Sequence, residues 1–320
     1  VADQSHEELL AEIGRAHYLD GKSKVEIANA HGMSRFHVAR LLDEARSSGI
    51  VHIEVASPRP AAPADTALIE EVFGLTKVIV TDNSTDGGRG REILAEAAAA
   101  ELSARARPGA TVGIAWSRTL ATVAKRVSRL PKCNFVQLAG ALPAANDGHS
   151  FEILHRLGVL SGGQTWPLFA PLVVDDATTA ASLRKQTEIA TALTKADTLD
   201  LAVVAIGAWS PGLSTVWERV SNADRREATK AGAVTECSGR LINAEGMPVK
   251  TAMDERIMAV TIEQLQATRE VIGVASGPER AEAVAAACRA GIVSTLIADE
   301  ALVAALSALA AESDTTKGAG

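Results

Sequence analysis

The hydrophobic and polar positions of the chain fall into two regimes with different periods. Over the first fifty residues the apolar side chains recur at helical spacing. Leu9, Ile13 and Ala16 stand at i, i+4 and i+7, which predicts an amphipathic first helix. Gly21 is placed to end it. Ser23 followed three residues later by Glu26 is a capping-box pattern, so a second helix starts there and runs to about His31. Gly32 supplies a turn, Ser34 an N-cap, and a third helix carries Val38, Leu41 and Leu42 inward. Ile27, Ala28, Gly32, Val38 and Leu41 have the spacing of a helix-turn-helix, where a small residue at 28 lets two helices cross closely. His31 departs from that pattern, because an apolar residue is common there. Gly49–Val55 reads as a short strand in the place of a wing.

Next comes Ser57-Pro-Arg-Pro-Ala-Ala-Pro63, with prolines at 58, 60 and 63. Fixed φ and missing N–H groups exclude helix and central strand, so this stretch reads as an interdomain linker. Ala64–Phe73 is expected to form a short helix with Leu68, Ile69 and Val72 on one face. From about residue 76 the second regime begins. Short β-branched runs alternate with alanine-rich helical stretches: Lys77–Thr81 then Glu92–Arg105, Thr111–Ala115 then Leu120–Leu130, Asn134–Leu138 then Phe151–Leu160. Further runs are Leu201–Ile206, Val271–Ala275 and Thr295–Ala298. Uninterrupted apolar strands between helices predict a buried, mostly parallel sheet. The fold class is therefore an N-terminal helix-turn-helix (winged-helix-like) domain plus an α/β C-terminal domain with a mostly parallel sheet. The expected boundaries are 1–56 for the first domain, 57–63 for the linker, 64–312 for the second domain and 313–320 for a frayed polar tail.

Composition changes this picture little. The chain has 320 residues, of which 47% are hydrophobic and 22% charged, enough for two cored domains. Cys133, Cys237 and Cys288 lie far apart with no CxxC spacing, which argues against a disulfide framework or a zinc site and fits a reducing cytoplasm. No apolar run approaches the length of a membrane helix and no signal pattern opens the chain, so a cytoplasmic protein without membrane contact is expected. No cofactor and no metal are expected either. Charge does matter. The formal net charge is −7, and residues 1–56 hold six Lys+Arg against nine Asp+Glu, whereas nucleic-acid binders are often basic.

The objection is answered locally. On the third helix Arg35, His37 and Arg40 have no acid among them before Asp43. The N-terminal side chains of that helix face the major groove in a helix-turn-helix, which makes Ser34, Arg35, Phe36, His37 and Arg40 the DNA-binding candidates. The bland alternatives are a helical hairpin used for dimerisation, with Phe36 buried and His37 an ordinary surface residue. Weak total charge also predicts modest non-specific affinity and reliance on several copies of the reader.

In parallel sheets ligands bind at the carboxyl ends of strands. Thr111-Val-Gly-Ile-Ala-Trp-Ser-Arg-Thr119 runs from strand through loop to helix. Ser117, Arg118 and Thr119 would then offer hydroxyls, a guanidinium and free N–H groups to an anion, most naturally a phosphate. An ordinary N-cap explains them equally well. Val274-Ala-Ser-Gly-Pro-Glu-Arg280 repeats the pattern, with Arg280 one turn into the helix or simply on the surface. Gln137 and Gly140 end a third strand and Gly207 a fourth, where glycines permit close backbone approach or serve the turns. Glu236, Asp254 and Glu255 are acidic candidates for sugar hydroxyls, or plain surface carboxylates.

The whole chain resembles the SorC family of sugar-responsive bacterial regulators, sometimes grouped under the DeoR name. The resemblance is carried by Ile27-Ala28…Gly32-Met-Ser34…Val38-Ala-Arg40-Leu41-Leu42, Gly113-Ile-Ala-Trp-Ser-Arg-Thr119, Val136-Gln-Leu-Ala-Gly140, Ala205-Ile-Gly207, Gly239-Arg240, Ile262-Glu-Gln-Leu265, Ser276-Gly-Pro-Glu-Arg280 and Leu296-Ile-Ala-Asp-Glu300. It implies a second domain with a glucosamine-6-phosphate deaminase/isomerase-like fold, a phosphorylated sugar or polyol effector of a carbohydrate catabolic pathway, and no catalysis. It also implies homodimers or homotetramers on operator DNA. Carried onto this chain, the phosphate loop falls on Ser117, Arg118 and Thr119, the acidic ligand residue near Glu236 and the late lysine on Arg280. Ser117 stands where the family often has glycine, Ser276-Gly277 replaces a double glycine, and aspartate is more usual than Glu236. Arginine for lysine offers a larger planar fork, which shifts the phosphate or admits an unphosphorylated sugar or polyol.

Two other functions remain open on the residues alone. One is a sugar-phosphate isomerase or deaminase with a DNA-binding head, using a convergent acid/base pair from a region that includes His149 and His155. The other is a DNA-tethered oligomerisation protein without a ligand.

Overall fold

The structure is a computed structural model and describes residues 6–48, 50–51, 63–82, 87–141 and 150–318. Most of the expected wing strand, the linker up to residue 62, and His149 lie outside the described residues. The chain divides into two compact units, Val1–Arg59 and Pro60–Gly320.

The first unit is three helices, α1 His6–Tyr18, α2 Lys24–Ala30 and α3 Arg35–Ser47. The caps are those the sequence predicts. Ser23 Oγ accepts the Glu26 N–H at 3.3 Å and the Glu26 carboxylate accepts the Ser23 N–H at 2.8 Å. Ser34 Oγ accepts the His37 N–H at 3.2 Å, and Gly32 takes φ +64° between α2 and α3. Leu10, Ile13, Ala16, Ile27, Ala28, Val38, Leu41, Leu42 and Ala45 form one core. Leu9 is only partly buried, so the inward stripe of α1 starts one residue later than expected. His31, polar where an apolar residue is common, has its Nε2 3.8 Å from the Glu12 carboxylate.

The second unit alternates helices and strands. It opens with α4 Pro63–Phe73, β1 Lys77–Thr81, α5 Gly87–Arg105, β2 Thr111–Ile114, α6 Arg118–Arg126, β3 Asn134–Gln137, α7 Ser150–Ser161 and β4 Thr165–Trp166. It continues through α8 Ala177–Arg184, α9 Thr187–Lys195, β5 Leu201–Ala208, α10 Asn222–Lys230, β6 Ala233–Cys237 and β7 Arg240–Asn243. It closes with α11 Ile262–Ala267, β8 Glu270–Ala275, α12 Ala281–Arg289, β9 Thr295–Asp299 and α13 Glu300–Gly318. The polar segment after Glu312, expected to fray, continues α13 as helix to Gly318.

The sheet runs β1-β9-β8-β5-β2-β3-β4, every neighbouring pair parallel. Its central strands are the continuous apolar runs, with Leu201–Val204 and Val271–Ala275 buried throughout. A strand covered on both faces needs apolar side chains on both, which is why alternation is absent. The main core joins these strands to α5, α6, α7, α12 and α13. Beyond the sheet β5 continues as Ile206–Ala208 and pairs antiparallel with β6, which pairs antiparallel with β7. From β2 the chain crosses to neighbouring β3; from β5 it passes through the hairpin and on to β8 at the other side. The carboxyl ends of β2 and β5 therefore flank a topological switch point, where open α/β sheets leave a crevice.

Candidate functional site

A cavity of about 650 Å³ occupies that crevice. After β2 the chain passes Ala115 and Trp116 to Ser117, which caps α6 by accepting the Leu120 N–H at 3.0 Å. That hydroxyl accepts from the helix and still has its O–H to donate. The N–H groups of Arg118 and Thr119 have no acceptor among the described residues, so the positive end of α6 opens on the cavity. Arg91 from α5, Arg118 from α6, Arg219 from the 3-10 turn Trp217–Arg219 and Arg280 from the 3-10 turn after β8 all line it. The opposing lining carboxylates are Glu218 and Glu236. Four arginines against two carboxylates make the lining net positive, although Arg280 Nη1 also pairs with Glu279 at 2.8 Å.

Glu236 reaches the cavity from β6 and is only 8% exposed. Its Oε1 accepts the Gly239 N–H at 2.5 Å and its Oε2 accepts the Ser214 hydroxyl at 3.3 Å. Burial pushes its pKa up to about 7, against the downward pull of those two donors. The hairpin that positions it turns through Ser238 at φ +51° and Gly239 at φ +87°. Positive φ at both central residues is what a two-residue hairpin turn that follows the strand twist requires.

The structure brings Ser117, Arg118, Thr119, Gly140, Glu236 and Arg280 to one cavity. Three expected candidates, Gln137, Asp254 and Glu255, lie elsewhere. Gln137 is 3% exposed, donates from Nε2 to the Ala139 carbonyl at 2.7 Å and accepts the Leu168 N–H at 3.3 Å, so it splices two loops together. Asp254 pairs with Arg240 at 2.7 Å and borders a separate cavity of about 490 Å³ with Arg184, Lys250 and Glu255. Gly140 has a packing role, since a Cβ there would sit 2.6 Å from the Pro171 carbonyl oxygen. Trp116, Ser214, Ser238, Arg91 and Arg219 line the cavity without having been singled out. Among them only the Ser238-Gly239 dipeptide is itself a local turn signal.

In the first unit Arg35, Phe36 and Arg40 are exposed and His37 half-exposed. Phe36 is 77% exposed, so it is no core residue. The Arg35 guanidinium lies 5.2 Å from the Phe36 ring centroid, and Arg40 Nη2 meets His37 Nδ1 at 3.0 Å. These side chains make one surface at the start of α3, behind the Ser34 cap.

Among the described residues no group of three or more His, Cys, Asp and Glu is placed to hold a metal, and no helix is long and apolar enough to cross a membrane. The family model described as "Putative sugar-binding domain" matches residues 64–307. The chain belongs to that sugar-binding domain family. Similar proteins in sequence include the uncharacterized transcriptional regulator YjhU of Escherichia coli K12, 28% identical across 89% of each chain. The transcriptional regulator LsrR of Enterobacter sp. strain 638 is 25% identical over 96% of this chain and 94% of its own. In structure, the full-length sorbitol operon regulator SorC of Klebsiella pneumoniae matches with a TM-score of 0.72 at 19% identity, over 93% of this chain and 98% of that one. The resemblance to SorC- and DeoR-type regulators read from the motifs agrees with these matches.

Proposed function

We propose that the protein is a DNA-binding transcriptional regulator governed by a phosphorylated sugar or polyol. The observation that carries this is the net-positive cavity at the switch point, open to the N-terminus of α6. A phosphate monoester carries nearly two negative charges at neutral pH, which suits a positively charged lining. Arg118, Thr119 and Arg280 hold the phosphate in this reading, and Glu236 takes hydroxyls. The second unit is then a sensor of glucosamine-6-phosphate deaminase/isomerase-like type. In the first unit α2, the Gly32 turn and α3 act as a helix-turn-helix, with α3 presenting Arg35, Phe36, His37 and Arg40 to the major groove. The names of the relatives, transcriptional regulators, support this reading over the enzyme. So does the placement of His155 on the exposed face of α7, outside the cavity lining. An acidic first unit makes single-copy binding weak, so homodimers or homotetramers act on the operator.

Effector binding shifts the population between arrangements that fit and misfit operator half-sites. The test is DNA affinity, by fluorescence anisotropy, on a duplex selected from a random pool by the full chain, with and without a panel of sugar phosphates. At least one is expected to change the affinity several-fold. Identical binding across the panel refutes the effector reading; turnover of a sugar phosphate would establish the enzyme instead.

A further inference from the structure

The arginines that line the cavity are not alike. Arg91, Arg118 and Arg219 have no carboxylate partner among the described residues. Arg280, in the turn after β8, has one from its own chain neighbour. Glu279 Oε1 accepts from Arg280 Nη1 at 2.8 Å, and the Ser276 carbonyl accepts from the same nitrogen at 2.7 Å. Both hydrogens of Nη1 are thereby used, while Nε and Nη2 have no acceptor among the described residues. Arg280 lines the cavity and Glu279 does not. An anion that meets Arg280 therefore shares the guanidinium with a carboxylate already in place.

Local structure gives no other task to an acid at 279. The 3-10 turn Pro278–Arg280 starts from Gly277 and has no side-chain cap bond. The Gly277 N–H goes to the Asp299 carboxylate at 3.0 Å, and among the described residues the Glu279 carboxylate bonds to no donor but Arg280. The Glu279 side chain is 47% exposed, and an exposed ion pair adds little stability. The backbone does make room for it. Gly277 has φ +90°, and a Cβ there would overlap the Glu279 carboxylate.

We propose that Glu279 is a specificity-determining residue that weakens the hold of Arg280 on anions, and so sets how strongly the cavity prefers phosphorylated over unphosphorylated ligands. The proposal rests on the cavity being the effector site. A carboxylate beside the guanidinium repels a phosphate, which carries nearly two negative charges. It has no such effect on a neutral sugar or polyol. With the anion contact tempered, hydroxyl contacts carry a larger share of the affinity. Inorganic phosphate, which lacks the hydroxyls of a sugar, then competes poorly.

The experiment is calorimetric titration of the full chain as wild type, Glu279→Gln and Glu282→Gln. Glutamine at 279 keeps an oxygen for Arg280 Nη1 and loses only the charge. Glu282, exposed in the first turn of α12, is the control for surface charge in general. The probes are inorganic phosphate, five- and six-carbon sugar phosphates and the same sugars without phosphate. Glu279→Gln is expected to bind inorganic phosphate and at least one sugar phosphate about 3–10-fold more tightly than wild type at low salt. Its affinity for the unphosphorylated sugars and its melting temperature should not change. The gain should shrink in 1 M salt, where charges are screened beyond about 3 Å. Glu282→Gln is expected to bind every probe as wild type does. Unchanged or weaker anion binding by Glu279→Gln, an equal gain in Glu282→Gln, or an equal gain for unphosphorylated sugars overturns the proposal. In each of these cases a sugar phosphate that binds wild type leaves the effector reading standing. If no sugar phosphate binds wild type or variant, the cavity is not the effector site and both readings fall.

Discussion

Replacing Glu236 by glutamine should change how stability depends on pH. The carboxyl is buried, and its pKa rises from 4.5 to about 7. In the unfolded chain it ionises through 4.5, while in the fold it keeps its proton until about 7. Between those values the unfolded state binds fewer protons, so stability falls as pH rises, then levels off above 7. The shift corresponds to about 3 kcal/mol, at 1.36 kcal/mol per pKa unit. Glutamine has no such slope and still offers Gly239 and Ser214 an oxygen and an amide of the same shape. The depressed carboxyls of Glu101 and Asp176 titrate below this window and are common to both proteins, so they cancel in the difference. The assay is urea unfolding at pH 5, 6, 7 and 8 followed by tryptophan fluorescence. All four tryptophans, Trp116, Trp166, Trp209 and Trp217, lie in the second unit, so the signal reports that unit alone. The variant should gain on wild type by about 2–3 kcal/mol across that range. Parallel stability curves for the two proteins would refute the buried-acid argument.

Other perturbations separate the two units and the parts of the site. Ile13→Ala removes a fully buried side chain from a small core, which costs about 2–5 kcal/mol; helicity of the first unit should melt early while the tryptophan transition stays put. Arg118→Ala should lower sugar-phosphate affinity about 10–100-fold by removing a charged hydrogen bond, and wild-type affinity in titration calorimetry would remove the α6 terminus from the site. Arg35→Ala should weaken operator binding by about 1–3 kcal/mol with effector affinity unchanged; loss of both would join what the proposal separates. Gly140→Ala places a Cβ 2.6 Å from the Pro171 carbonyl oxygen, so its melting temperature should drop by several degrees even where no ligand is present.

The parallel strands were legible because burial on both faces writes them as unbroken apolar runs, as in Leu201–Val204. The β6–β7 hairpin was not. Its strands carry buried Thr235, Glu236 and Arg240, and those polar residues erase the pattern by which a buried strand is recognised. The same feature that hides the hairpin matters at the cavity, since it turns a carboxylate into the lining. Arg91 was illegible for another reason. It lies in a helix with no local signal and reaches the site only because α5 packs against α6 beside the strand ends. Asp254 is the opposite case: it has the chemistry of a sugar ligand, but it pairs with Arg240, fourteen positions earlier, and lines the other cavity. The helical end of α13 went unread because its last residues are polar and carry no periodicity.

The net charge of −7 would have dismissed both anionic ligands proposed for this chain, DNA and a phosphate. Charge acts over distance, however, and at physiological salt it is screened beyond about 8 Å. A ligand in the cavity therefore feels Arg91, Arg118, Arg219, Arg280, Glu218 and Glu236 before it feels the acidic surface. The same holds at α3, where Arg35 and Arg40 stand at the exposed start and the acids Asp43 and Glu44 come one turn after Arg40. Placement, more than total charge, decides which anions such a chain can hold. The acidic remainder then acts as a filter, because an anion that does not reach these two places with the right geometry meets mostly repulsion.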